Sequence, residues 1–296
     1  MQTGRIPLAD IGPFDLQSTV ESGQSYLWRR PDGRMYDDSG AYGGDAWYAT
    51  AVRTDDGPGV VRVRQVEDEL RWEATFDADT LVRRRLRLDD DLDAIYATAP
   101  DEDLPTAAFD RYWGMRLVDD PAFPSLISFI CSAQMRVARI HGMQRALERT
   151  FGDPVVFDGE TYYTYPTPER LAAASEAQLR DLGVGYRAPY VQRTAEMVAE
   201  GTAHPATARE QDYLDARAFL TQFVGVGQKV ADCVCLFALD HLEAIPLDTW
   251  IRTAIEDHFP DCDRGNYDDT SRALRRRFGG EYAGYVQTYV FHHLRT

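Results

Sequence analysis

Two kinds of hydrophobic spacing divide the chain. From residue 10 to about 76, short β-branched and aromatic runs alternate with polar positions: QSYLWRR (24–30), AWYATAVRT (46–54), GVVRVRQVE (59–67) and LRWEATF (70–76). Asp/Gly-rich stretches such as RPDGRMYDDSG and TDDGPG separate them. Period-two runs bounded by turn residues predict close-spaced strands and an antiparallel sheet. After LRLDDDLDAIYATAP the spacing becomes helical, over 104–117, 123–151, 168–182, 187–199, 208–223, 228–240, 248–259 and 268–277, with a last helix through about 280–294. No internal repeat or low-complexity tract interrupts the pattern. The expectation is an α+β chain, a sheet layer at 1–98 followed by an all-α body at 99–296.

At 296 residues the chain has ample core for one large or two ordinary domains, and 44% hydrophobic content marks a globular protein. No apolar run approaches the roughly 18 residues that span a bilayer. The first residues, MQTGRIPLADIGPFDL, lack the basic and apolar segments of a signal peptide. A cytoplasmic protein is expected. The cysteines at 131, 233, 235 and 262 show no C-x-x-C spacing and no nearby His pair, which argues against zinc or an iron–sulfur cluster.

Charge changes the picture. A net charge of −16 would ordinarily exclude nucleic acid as a partner. The cations, however, are 31 arginines and a single lysine, Lys229. Acid excess with arginine in place of lysine points to solvation in concentrated salt, as in a halophilic archaeon, where net charge says little about partners. The arginines at 83–85, 87 and 275–277 read as solvated faces more readily than as phosphate patches.

Arginine cannot offer a lone pair, whereas a lysine amine that loses its proton becomes a nucleophile. Lys229 follows the turn Val224-Gly225-Val226-Gly227 between two predicted helices. Such a turn presents backbone N–H groups at a helix N-terminus, where the macrodipole also disfavours an ammonium. Cys233, four residues on, shares the lysine's face. Asp248 opens the next helix and would cap it. One helix and one loop separate the two residues, so amine and carboxylate can return to the same end of the helix pair.

The chain resembles the 8-oxoguanine DNA glycosylase/AP lyase family of the helix–hairpin–helix glycosylases. The resemblance rests on SGQSYLW (22–28), LISFICSAQ (126–134), VARIHGM (137–143), LGVGYRAPYV (182–191) and YAGYVQTYVF (282–291), together with the Lys229…Asp248 pair. These blocks cover nearly the whole chain, in family order. It implies a TBP-like N-terminal sheet domain and an active-site cleft between helical subdomains. It makes Lys229 the nucleophile at C1′ and Asp248 its assistant, with a Schiff base and β-elimination to follow. The carbonyl of Gly23 would accept the N7 hydrogen that 8-oxoguanine has and guanine lacks. Gln287 would read the Watson–Crick edge, and Phe291 and Cys233 would sandwich the flipped ring. Tyr186 would be the wedge, Arg187 the reader of the orphaned cytosine, and Arg139 would lie beside them. Gly225, Val226 and Gly227 would grip the DNA backbone. Double-stranded DNA would be the partner of a monomer. No cofactor would be required, beyond a possible structural cation at 224–227.

Three positions depart from the family pattern. Gln134 stands where Asn is usual, Met135 and Arg136 break an asparagine run, and Trp250 replaces a phosphate-binding His. These bear on opposite-base selectivity and on the phosphate grip. Two other readings share parts of the pattern. A monofunctional glycosylase would use the aspartate with water and need no lysine. A non-catalytic helix–hairpin–helix module would need neither Asp248, Gln287 nor Phe291.

Overall fold

Alternation becomes a sheet where both partners of a pair alternate. In the computed structural model, which describes residues 1–37, 45–133 and 135–296, β1 (Gln2–Pro7), β2 (Tyr48–Thr54), β3 (Gly57–Val66) and β4 (Glu69–Ala74) form an antiparallel sheet in the order β1-β4-β3-β2. Leu70, Trp72 and Ala74 of β4 are buried, while Arg71 and Glu73 between them are not. One face packs with Ile6, Phe14, Val20, Trp28 and Tyr48 under α1 (Leu16–Glu21) and α2 (Asp79–Arg85). A second hairpin, β5 (Pro154–Phe157) and β6 (Glu160–Tyr163), turns through Asp158 and Gly159, both at positive φ, and joins Phe157 and Tyr162 to Ala49 and Val60 of the sheet.

Three sequence expectations are corrected. QSYLWRR is not a strand: only Arg29 bridges, to Ala49. The buried Gln24 amide holds the segment as a loop, donating to the carbonyls of Thr19 and Arg116 and accepting from the Val118 N–H. The sheet instead takes β1, whose Gly, Arg and Pro hide any alternation. The helix expected over 123–151 is two, broken where the Ser132 hydroxyl donates to the Phe129 carbonyl at 2.7 Å. The helix expected over 168–182 is also two, because Ser175 and Gln178 form a capping box.

The body comprises α3 (Leu92–Tyr96), α4 (Asp103–Tyr112), α5 (Ala122–Ile130), α6 (Val137–Phe151), α7 (Pro168–Ala173), α8 (Glu176–Asp181), α9 (Ala188–Ala199), α10 (Tyr213–Leu220), α11 (Gln228–Ala238), α12 (Thr249–His258), α13 (Tyr267–Arg277) and α14 (Ala283–Arg295). Its core centres on α5, α11 and α14, each with buried residues through most of its length. Leu92 and Ile95 already belong to this core. The body is tied to the sheet layer by a buried Arg85–Asp120 pair at 3.2 Å and by the Asp119 N–H donating to the Arg85 carbonyl at 3.1 Å. Among the described residues no helix is long and apolar enough to cross a membrane.

The arginine runs divide: Arg84 and Arg276 are exposed, as a solvated face would be, and several others are not. Arg85 is buried, Arg87 pairs with Asp90 and Asp240, and Arg277 pairs with Glu102 and Asp261.

Candidate active site

The hairpin after α10 brings the lysine to a cavity. Gly225 turns at φ +85, and a Cβ there would come within 2.8 Å of the Tyr190 ring, so the fold itself demands glycine. Gly227 begins α11 without a side-chain cap, which leaves first-turn N–H groups facing outward. The Val224 carbonyl in this turn already accepts from Thr194 Oγ1 at 3.1 Å. Lys229, in the first turn of α11, is half-buried. Its Nζ donates to Ser132 Oγ at 3.2 Å and sits 5.7 Å from the centre of the Phe129 ring.

A cavity of about 920 Å³ opens at this point. Its walls include Lys229, Cys233, Asp248, Gly23, Gln287 and Phe291, which come from α11, the start of α12, the loop after α1, and α14. Asp248 caps α12, its Oδ1 accepting from the Ile251 N–H at 2.9 Å. Burial raises its carboxyl above the ordinary aspartate range, against the Ile251 amide, the Lys229 charge and the Trp250 amide, which pull it down. Burial likewise pushes the Cys233 thiol up to about 11 despite the neighbouring lysine, so Cys233 is a neutral thiol at physiological pH. Gly23 is at φ +95, and a Cβ there would meet Val137 at 3.1 Å and Phe291 at 3.6 Å. Gln287 is buried, with only a long 3.5 Å contact from the Thr288 hydroxyl to its carbonyl oxygen.

Of the remaining expected residues, Trp250 is on the cavity wall, and Tyr186, Arg187 and Arg139 are outside its lining. Trp250 is 44% exposed. Tyr186 is 60% exposed and meets Tyr190 edge-on. Arg187 is folded inward at 2% exposure; its guanidinium donates to the Ala133 carbonyl and lies 4.3 Å over the Tyr186 ring. Arg139 is exposed on α6. Gln134 lies outside the described residues. Sequence reasoning missed Ser132 and Phe129. Both sit inside LISFICSAQ, but a serine and a phenylalanine in an apolar run carry no signal of their own. Among the described residues no group of three or more His, Cys, Asp or Glu side chains is placed to hold a metal ion.

A sheet layer on a helical body, with a hairpin lysine and a capping aspartate on one cavity, defines a helix–hairpin–helix base-excision protein. Residues 127–279 match the HhH-GPD superfamily of base excision DNA repair proteins. A probable N-glycosylase/DNA lyase of Methanothermobacter thermautotrophicus is 34% identical over 98% of this chain and 96% of its own. The structure of MBOgg1 with a low-affinity DNA ligand superposes with a TM-score of 0.85 at 26% identity, covering 100% of this chain and 96% of that one. A Clostridium acetobutylicum 8-oxoguanine glycosylase/lyase shares the fold, with a TM-score of 0.82 at 23% identity over 95% and 92% of the two chains. The chain belongs to the N-glycosylase/DNA lyase family within that superfamily, the family its sequence blocks resemble. It is a DNA glycosylase with lyase activity.

Proposed function

We propose that the enzyme excises 8-oxoguanine opposite cytosine from duplex DNA through a Schiff base on Lys229, and then nicks the strand. The observation that carries this reading is the meeting of the chain's one lysine with a half-buried aspartate on the wall of a single cavity. The Nζ lone pair attacks C1′ and the N-glycosidic bond breaks, its electrons leaving with the base, which takes up a proton. Opening of the sugar ring gives the Schiff base. Loss of a C2′ proton then expels the 3′ phosphate. The Asp248 carboxylate takes the amine proton and stabilises positive charge developing on the sugar. No cofactor enters these steps. Gly23, Gln287, Phe291 and Cys233 would hold the flipped base in the roles the resemblance assigns.

Contacts link Tyr186, Arg187 and the Gly225 turn to the cavity wall. Arg187 ties the Tyr186 turn to Ala133 on the cavity wall, Tyr186 meets Tyr190, Tyr190 packs on Gly225, and the hairpin runs into Lys229. At Gly227 the backbone has an ordinary φ of −96, and a Cβ would meet nothing within 4 Å. Nothing among the described residues requires glycine there, whereas the close approach of a phosphate backbone would. Most arginines are consumed by carboxylates. Arg136, Arg139 and Arg252 are exposed and form no ion pair among the described residues; Arg136 lines the cavity, and Arg252 stands two residues past Trp250.

Borohydride reduction during turnover of an 8-oxoguanine·cytosine duplex tests the reading. A covalent protein–DNA adduct is expected; base release without an adduct would favour the monofunctional alternative.

Three consequences follow from the same geometry. Arg187→Ala should erode the preference for cytosine over adenine opposite the lesion, since direct pairing carries about 1–3 kcal/mol of discrimination. Equal losses opposite both bases would reduce Arg187 to a brace for the Ala133 turn. Because the carboxyl of Asp248 is raised, single-turnover excision should fall with acid at a pH above the ordinary aspartate value of about 3.9. A rate flat down to that value would show that no ionised Asp248 is needed. If Arg136, Arg139 and Arg252 each neutralise one phosphate, the slope of log affinity against log salt should be near −3, because each phosphate neutralised contributes about −0.9. We take the enzyme as a monomer from a salt-rich prokaryotic cytoplasm, so folding and excision should persist at molar potassium chloride. Anisotropy and circular dichroism across a salt series decide this: a steep loss of both binding and fold would mean the acidic surface serves something other than salt.

A further inference from the structure

One buried polar cluster next to the cavity takes no part in the chemistry described above. Asp232 lies on α11 one turn after Lys229 and is fully buried. Its Oδ1 accepts from the Tyr213 hydroxyl and its Oδ2 from the Tyr267 hydroxyl, both at 2.7 Å. The Tyr267 oxygen then accepts from the Leu247 N–H at 3.1 Å. Leu247 is the residue before Asp248. The next residue of α13, Asp268, accepts from Gln228 Nε2 at 2.7 Å and pairs with Arg217; Gln228 is the residue before Lys229. Two consecutive residues at the start of α13 thus hold the backbone neighbours of both the lysine and the aspartate.

We propose that Tyr267, anchored by Asp232, is a positioning residue that sets Asp248 relative to Lys229. The proposal rests on the catalytic reading of that pair. A hydroxyl has one proton to donate. Giving it to Asp232 leaves the Tyr267 oxygen as the acceptor for Leu247, which fixes both the direction of the chain of bonds and the place of the loop. Burial pushes the Asp232 carboxyl up to about 6, while the two tyrosine hydroxyls, then Arg217 and Arg275, pull it down. At physiological pH it is therefore an acceptor for both tyrosines. Tyr213 serves as the internal control: it satisfies the same carboxylate from α10, and among the described residues it makes no hydrogen bond to the Asp248 loop.

Single-turnover excision is measured for Tyr267→Phe and Tyr213→Phe, each alone and combined with Asp248→Asn, with thermal unfolding of every variant. Tyr267→Phe should slow excision roughly tenfold in the wild-type background, the scale of a small misplacement of a reacting group. It should slow excision less than about twofold when Asp248 is already Asn, because residues acting through one another are non-additive. Tyr213→Phe should lower the melting temperature comparably and leave the rate within about twofold in both backgrounds. Equal Tyr267 losses in the two backgrounds, or a Tyr213 loss as large as that of Tyr267, would overturn the proposal while leaving the catalytic reading intact. A wild-type rate for Asp248→Asn alone would overturn the catalytic reading, and this proposal with it.

Discussion

Replacing Lys229 by glutamine is expected to abolish the borohydride-trapped adduct and to slow excision by on the order of 10⁴-fold or more, the scale on which removing a covalent nucleophile acts. Glutamine nearly matches the lysine stem, and its amide N–H can still reach Ser132 Oγ, the partner of Nζ at 3.2 Å. It has no nucleophilic lone pair. Duplex affinity should stay within about threefold, since one phosphate-facing charge at most is removed. The composition makes this experiment unusually clean. With no other lysine in the chain, a wild-type adduct can form only at Lys229 or at the terminal amine of Met1. Peptide mapping of the trapped species separates the two. An adduct that persists in Lys229→Gln would remove the nucleophile assignment.

The same rarity explains why Lys229 and Asp248 could be singled out from sequence as the proposed catalytic pair. A lone lysine after a glycine turn, and an aspartate opening a helix, are local signals, and local rules govern both. The sheet was legible where pairing and alternation coincide, in β2, β3 and β4. It was not legible in β1, which is a strand because β4 offers its edge, nor at QSYLWRR, where one glutamine amide outcompetes the ladder. The proposed base pocket lay beyond spacing arguments altogether. Gly23 and Gln287 are separated by most of the chain, and only the family resemblance placed them together. The arginine runs were partly illegible for a related reason: some of their carboxylate partners lie far off in sequence, Asp120 for Arg85 and Glu102 for Arg277. Arg187 shows the limit from the other side. Nothing in the sequence announced that it would be turned inward onto Ala133, a contact set by the break between α5 and α6.

Asp248→Asn should lower the single-turnover rate by about 10²–10⁴, the range for loss of a positioned acid–base group, while the protein keeps or gains stability. Asp248 both lines the cavity and caps α12, and the two roles respond differently to this change. Asparagine caps about as well as aspartate, so the bond to the Ile251 N–H survives. The charge does not. The sign of the stability effect follows from the raised carboxyl. A group whose folded value exceeds its unfolded value stabilises the fold fully below the unfolded value, and that contribution is lost as pH rises through the folded one. An ionised Asp248 is thus a cost to folding that its bonds to Ile251 and Trp250 only partly offset, and a neutral amide relieves it. The melting temperature of Asp248→Asn should therefore equal or exceed that of the wild type at pH 7, with the difference shrinking toward pH 4. Destabilised carboxylates of this kind are what an active site retains in exchange for rate. Thermal unfolding and single-turnover excision measured on the same preparations decide the matter. A rate near wild type would leave Asp248 as a cap alone, and a fall in melting temperature would show that its charge, not its oxygen, holds α12 in place.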